Sequence, residues 1–161
     1  MDTPPAALPT APQTVLTAIV DNDFHYARTA EEIVDLVSLV VDVAHPDRAS
    51  LLYLWDRPCR SGLHHHGGEG EYPGHQLRVV TDPASGWGAV NFVDTDDLSD
   101  ASDSLNTEPG EAPELPFDPE GGSFFPASAS IPLGLVRAAV AEFAVTGRRP
   151  GCLAWQPARL V

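Results

Sequence analysis

Lysine is absent from this chain of 161 residues, and the nine basic residues are all arginine, at positions 28, 48, 57, 60, 78, 137, 148, 149 and 159. Against them stand 23 Asp and Glu, for a formal net charge of -14. A chain with so negative a balance repels phosphate backbones and anionic lipid headgroups, which argues against direct binding to nucleic acid or to a membrane surface and favours a basic partner. Cysteine occurs twice, at Cys59 and Cys152, outside any CxxC pair. That is too little for a disulfide framework and predicts two reduced thiols. No apolar run approaches the roughly 20 residues needed to span a bilayer. Nor does the opening "MDTPPAALPTAPQT" have the basic and apolar regions of a signal peptide, so the cytoplasm is the expected compartment. A P-loop, a Rossmann glycine pattern and a nucleophile elbow are likewise missing.

What is present fits a folded protein: 43% hydrophobic and 20% charged residues, with 16 prolines and 13 glycines. Residues 1–13 read as a flexible Pro/Ala-rich leader, and 14–161 as a single domain. "TVLTAIVDNDFHYAR" (14–28) predicts a strand pair or one long strand. "TAEEIVDLVSLVVDVAH" (29–45) predicts a helix: Thr29 and Glu32 have capping-box spacing, and Ile33, Leu36, Val37, Val40, Val41 and Ala44 share one face. Strands follow at 50–57, 75–82 and 87–94, the last two as a hairpin about "DPASG". A second helix begins at Pro132, carries Leu133, Val136, Val140 and Phe143 on one side, and ends at Gly147 before a short strand over 151–157. The resulting order predicts an α+β fold, an antiparallel sheet with two helices packed on one face.

Between the hairpin and the second helix, Asp94, Asp96, Asp97, Asp100, Asp103, Glu108, Glu111, Glu114, Asp118 and Glu120 accumulate without one Arg, Lys or His. With its Pro, Gly and Ser content, 94–123 reads as a long solvated acidic loop. It does not read as a calcium loop. The best frame, from Asp100 to Glu111, has Leu105 where Gly is needed and Ser102 and Ser104 at ligand positions.

Four of six histidines fall within "SGLHHHGGEGEYPGH" (61–75). Adjacent His64, His65 and His66 beside two glycines give no fixed ligand geometry, and HExxH is missing, so this stretch reads as a polar connector without metal. A small metal-dependent hydrolase built on His64–His66 is the enzymatic alternative; it requires stoichiometric metal in untagged protein.

The final quarter carries a more specific signal. "FPASASIPLGLVRAAVAEFAVTGRRPGCLAWQ" resembles the C-terminal segment of the Imm1 family of bacterial immunity proteins. The matching positions are Pro132, Leu133, Val136, Arg137, Ala139, Val140, Glu142, Phe143, Thr146, Gly147, Arg149, Pro150, Trp155 and Gln156. "GHQLRVVTDPASGWGAVNF" resembles the same family's hairpin. The segment Asp94 to Glu120 departs from it, being acidic where the family is usually aromatic- and Gly-bearing.

The resemblance implies a non-enzymatic inhibitor, without cofactor, of a secreted toxin of the nucleic-acid deaminase class. Such a toxin needs a positive groove for its substrate strand. On this reading Asp94, Asp96, Asp97, Asp100, Asp103, Glu108 and Glu111 meet toxin Arg and Lys, and Trp87, Phe124 and Phe125 supply an aromatic centre. Pro132, Arg137, Glu142, Phe143, Gly147, Arg149, Pro150 and Trp155 are expected to be structural. The remaining alternative is an acidic adaptor or nucleic-acid mimic with no toxin partner, which gene context would distinguish.

Overall fold

A computed structural model describes residues 13–63, 65, 67–108 and 110–159. The chain opens with a hairpin of β1 (Val15–Val20) and β2 (Asp23–Ala27). Its two turn residues, Asp21 and Asn22, have φ of 50° and 71°. Short polar side chains tolerate this left-handed backbone, and the resulting turn matches the strand twist. Helix α1 (Ala30–Asp42) follows. The Thr29 hydroxyl accepts from the Glu32 amide, while the Glu32 carboxylate accepts from Thr29, both at 3.1 Å, completing the capping box. Strands β3 (Ser50–Trp55), β4 (His75–Asp82) and β5 (Trp87–Asp94) lie within a residue or two of the predicted spans.

Beyond Asp94 the structure departs from the solvated loop. β6 (Ser102–Leu105) enters the main sheet; β7 (Pro116–Asp118) and β8 (Ser123–Phe124) form a separate hairpin; β9 (Ile131–Pro132) leads into helix α2 (Leu133–Thr146), and β10 (Ala154–Pro157) closes the chain. The main sheet runs β10-β6-β5-β4-β3-β1-β2 with β9 against the start of β5. Every pairing in it is antiparallel.

Strand alternation separates two cores. Leu16, Ala18, Leu52, Leu54, Leu77, Val79, Val90 and Phe92 point to one face, where Leu36, Val37, Val40 and Val41 of α1 and Val136, Val140, Phe143 and Ala144 of α2 cover them. Both helices therefore lie on the same side. Gly88 permits α2 to approach β5: a Cβ there would stand 2.8 Å from Val136 Cγ2 and 2.9 Å from the Val80 carbonyl oxygen. Gly147 ends α2 with φ of 65°, its amide donating to the Phe143 carbonyl at 2.8 Å.

The opposite face is covered in part by the acidic segment that composition assigns to solvent. Leu115, Phe117, Phe125 and Ala129 pack on Val80 and Ala89, with the Phe117 and Phe125 rings edge-to-face at 5.1 Å. The Arg78 guanidinium lies 4.4 Å from the Phe117 ring centre and donates to the Phe117 carbonyl at 2.9 Å. Burial there lowers its pKa below the usual arginine value. Acidic residues dominate 94–123, but apolar ones interleaved with them decide where the chain lies, because their burial outweighs the exposure of flanking carboxylates.

Candidate partner-binding surface

The acids of 94–103 divide into two populations. Asp94, the last residue of β5, is half-buried, and Asp96, Asp97 and Asp100 are exposed on the connection to β6. The Asp94 carboxylate accepts from the Asp96 amide at 3.0 Å, and backbone bonds from Asp97 to Asp94 and from Asp100 to Asp97, both 3.1 Å, wind the segment into tight turns. The Asp97 carboxylate accepts from the Ser99 hydroxyl. These bonds use some lone pairs locally and leave the carboxylates on an outward-facing turn. Asp94 and Asp100 also line a groove of about 550 Å³ whose far wall includes Thr146, Arg148 and Arg149.

Asp103 is different, being only 1% exposed within β6. One carboxylate oxygen accepts from Asn91 Nδ2 at 3.0 Å and the other from the Arg159 amide at 3.1 Å. Burial raises its pKa, opposed by those two hydrogen bonds. Asp103, expected to contact a partner, is instead enclosed: Ser102 and Ser104 on either side of it are buried as well, and β6 is flanked by β5 and β10.

The phenylalanine pair divides in the same way. Phe125 is 0% exposed and sits in the second core, so it is not a contact residue in this fold. Phe124, its neighbour on β8, is 48% exposed.

Trp87, Glu108 and Glu111 come together elsewhere. They line a groove of about 380 Å³ with Leu105, Pro132, Leu135, Leu153 and Ala154, beside exposed Cys152. Trp87 begins β5 and Asp94 ends it. Seven residues of extended strand place the two sites roughly 23 Å apart. Leu135, Leu153 and Ala154 were not singled out from sequence, and Cys152 was read only as a reduced thiol. One signal was available: Leu135 lies a helical step beyond the apolar face of α2 and is 44% exposed.

The motif positions of the last quarter hold structure. Pro132 precedes α2 as its N-cap, and Arg137 of α2 pairs with Asp42 of α1. The Glu142 carboxylate accepts from the Gly151 amide, and Phe143 is fully buried. Arg149 donates to the Ser102 hydroxyl at 3.0 Å. Trp155 donates from Nε1 to the Pro150 carbonyl at 2.7 Å and packs on the main core. These contacts tie the β10 edge to α2 and β6.

His65 is pinned rather than free. The Tyr26 hydroxyl donates to the Cys59 carbonyl at 2.9 Å, so its oxygen accepts from His65 Nε2 at 3.0 Å; the Ser61 amide then donates to Nδ1 at 3.1 Å. His64 and His66 lie outside the described residues. Among the described residues, no group of three or more His, Cys, Asp and Glu side chains is placed to hold a metal. No helix among them is long and apolar enough to cross a membrane.

Against known families, the model described as Immunity protein Imm1 matches residues 9–157, nearly the whole chain. No curated protein matches it.

Proposed function

The chain belongs to the Imm1 family of immunity proteins, and from that premise we propose that it neutralises a cognate deaminase-type toxin by covering the toxin's basic substrate groove. A nucleic-acid deaminase has to hold a polyanionic strand, so its groove is lined with Arg and Lys. The observation that carries the reading is the turn bearing Asp94, Asp96, Asp97 and Asp100 beyond the end of β5. The chain's few arginines offset its charge only in part: Arg48, Arg57 and Arg137 pair with Glu120, Asp56 and Asp42, Arg78 lies against Phe117, and Arg148 and Arg149 share a groove with Asp94 and Asp100. The net field stays negative and draws in a cationic surface ahead of contact. Inhibition is stoichiometric and the inhibitor acts in the cytoplasm of the producing cell, where fast capture protects the cell's own nucleic acid.

The test replaces Asp94, Asp96, Asp97 and Asp100 together by Asn and measures association with the toxin domain encoded beside this gene. At low salt the unaltered protein associates at least about tenfold faster than the variant. The gap narrows above ~0.1 M salt, where the Debye length falls below about 10 Å. Equal rates and equal salt slopes would remove the turn from the mechanism.

A further inference from the structure

We infer that the groove at the start of β5 is a second, short-range contact site, which takes one apolar or aromatic side chain flanked by Arg or Lys on the toxin. The inference rests on the immunity reading and assigns the groove a role separate from that of the aspartate turn. Long-range attraction sets how fast two proteins meet, but tight binding needs a desolvated apolar centre. Beside the aspartate turn, the groove has one apolar side chain among its described lining residues, Phe92, and that is already buried in the main core. The groove at the start of β5 has such a centre: Trp87 and Pro132 lie side by side as β5–β9 partners, Leu135 projects from the first turn of α2, and Leu153 and Ala154 form the far side.

Hydrogen bonds and strand pairing hold parts of both walls. One wall, from Leu105 onward, is held by the Asn106 amide on the Ser128 carbonyl at 2.7 Å and by the Glu108 amide on Asn106 Oδ1 at 2.9 Å. The other is fixed by pairing of Ala154 with Leu105 and Trp155 with Ser104, and by the Gly151–Glu142 bond just before it. Walls held in part before binding lower the ordering cost on association. Charge selects the occupant. Among the described lining residues Glu108 and Glu111 are the charged ones, both exposed at the rim, and none is basic. An apolar side chain on an acidic surface would fill the volume but meet repulsion at the rim, and one on a neutral surface would gain no attraction there; one set among Arg and Lys gains on both counts.

Cys152 reports on occupancy. It is exposed beside the groove, whereas Cys59 is buried and its thiol is pushed up to about 11. Two experiments with the inactivated toxin domain test the inference. The first is thiol labelling of the unaltered protein at mildly alkaline pH, alone and in complex. The second compares Leu135→Arg with the four-Asn variant by association and dissociation rates, after urea denaturation has shown Leu135→Arg to be folded.

An occupied groove slows Cys152 labelling at least about tenfold, and Leu135→Arg raises the dissociation rate by about tenfold or more, a typical cost of disturbing an anchor. The four-Asn variant instead changes association. If the complex forms while Cys152 labels at its free rate and Leu135→Arg dissociates like the unaltered protein, the groove is not a contact site and the immunity reading survives. If even the unaltered protein forms no complex, the immunity reading fails first and takes the groove with it.

Discussion

Replacing Phe125 by Ala tests whether the acid-rich segment is part of the folded body. The side chain is 0% exposed, and its ring meets Phe117 edge-to-face at 5.1 Å over Val80 and Ala89. Truncating a fully buried Phe removes its transfer free energy and leaves a cavity, for about 3–5 kcal/mol. Of a total stability of about 5–15 kcal/mol, that is a large fraction. With a urea m-value of ~2 kcal/mol/M the denaturation midpoint falls by about 1.5–2.5 M. Phe124→Ala is the control. At 48% exposure it loses only part of a side chain's burial, so its midpoint moves by less than half as much. The assay is equilibrium urea unfolding followed by tryptophan fluorescence, with m compared between variants. A Phe125→Ala protein that unfolds within about 0.5 kcal/mol of the parent would refute the second core, and with it the placement of residues 115–129 against the sheet.

Two further substitutions probe other joints. Asp103→Asn takes an acceptor from the Arg159 amide or from Asn91, at a cost of about 1–2 kcal/mol, and leaves the association rate with the toxin unchanged. Because burial raises the Asp103 pKa in the folded state, the parent loses stability as pH rises from the unfolded carboxylate value through the folded one. Asn does not titrate, so the parent's advantage over Asp103→Asn narrows across that window in urea melts taken from pH 3 to 7 as ~1-unit steps. Gly88→Ala forces a methyl against Val136 and the Val80 carbonyl and costs about 1–3 kcal/mol, read as a lowered melting temperature.

Much of this architecture was legible from periodicity, and the rest was hidden for identifiable reasons. Thr29 with Glu32 marks the start of α1, and Leu77, Val79, Val90 and Phe92 alternate cleanly enough to place the central hairpin. Strand β6 reads Ser-Asp-Ser-Leu, with no apolar alternation to betray it. Its partner β10 lies some fifty residues downstream, so nothing local specifies the pairing. Ser104 shows what satisfies it: its hydroxyl accepts from the Val90 amide and donates to the Ala129 carbonyl, at 3.1 and 2.6 Å. Which of Phe124 and Phe125 turns inward depends on the β7–β8 register, which composition does not encode. The aspartate turn and the Trp87 groove lie at opposite ends of one strand, a separation visible only once β5 is known to be extended.

The claim that this protein occupies the site of a nucleic-acid strand is tested most directly by competition. A labelled single-stranded oligonucleotide is bound to the inactivated toxin domain and this protein is titrated in. The account predicts complete displacement at one equivalent, with a weaker effect from the four-Asn variant at low salt. A stable ternary complex, with the oligonucleotide still bound to toxin saturated by this protein, would contradict it.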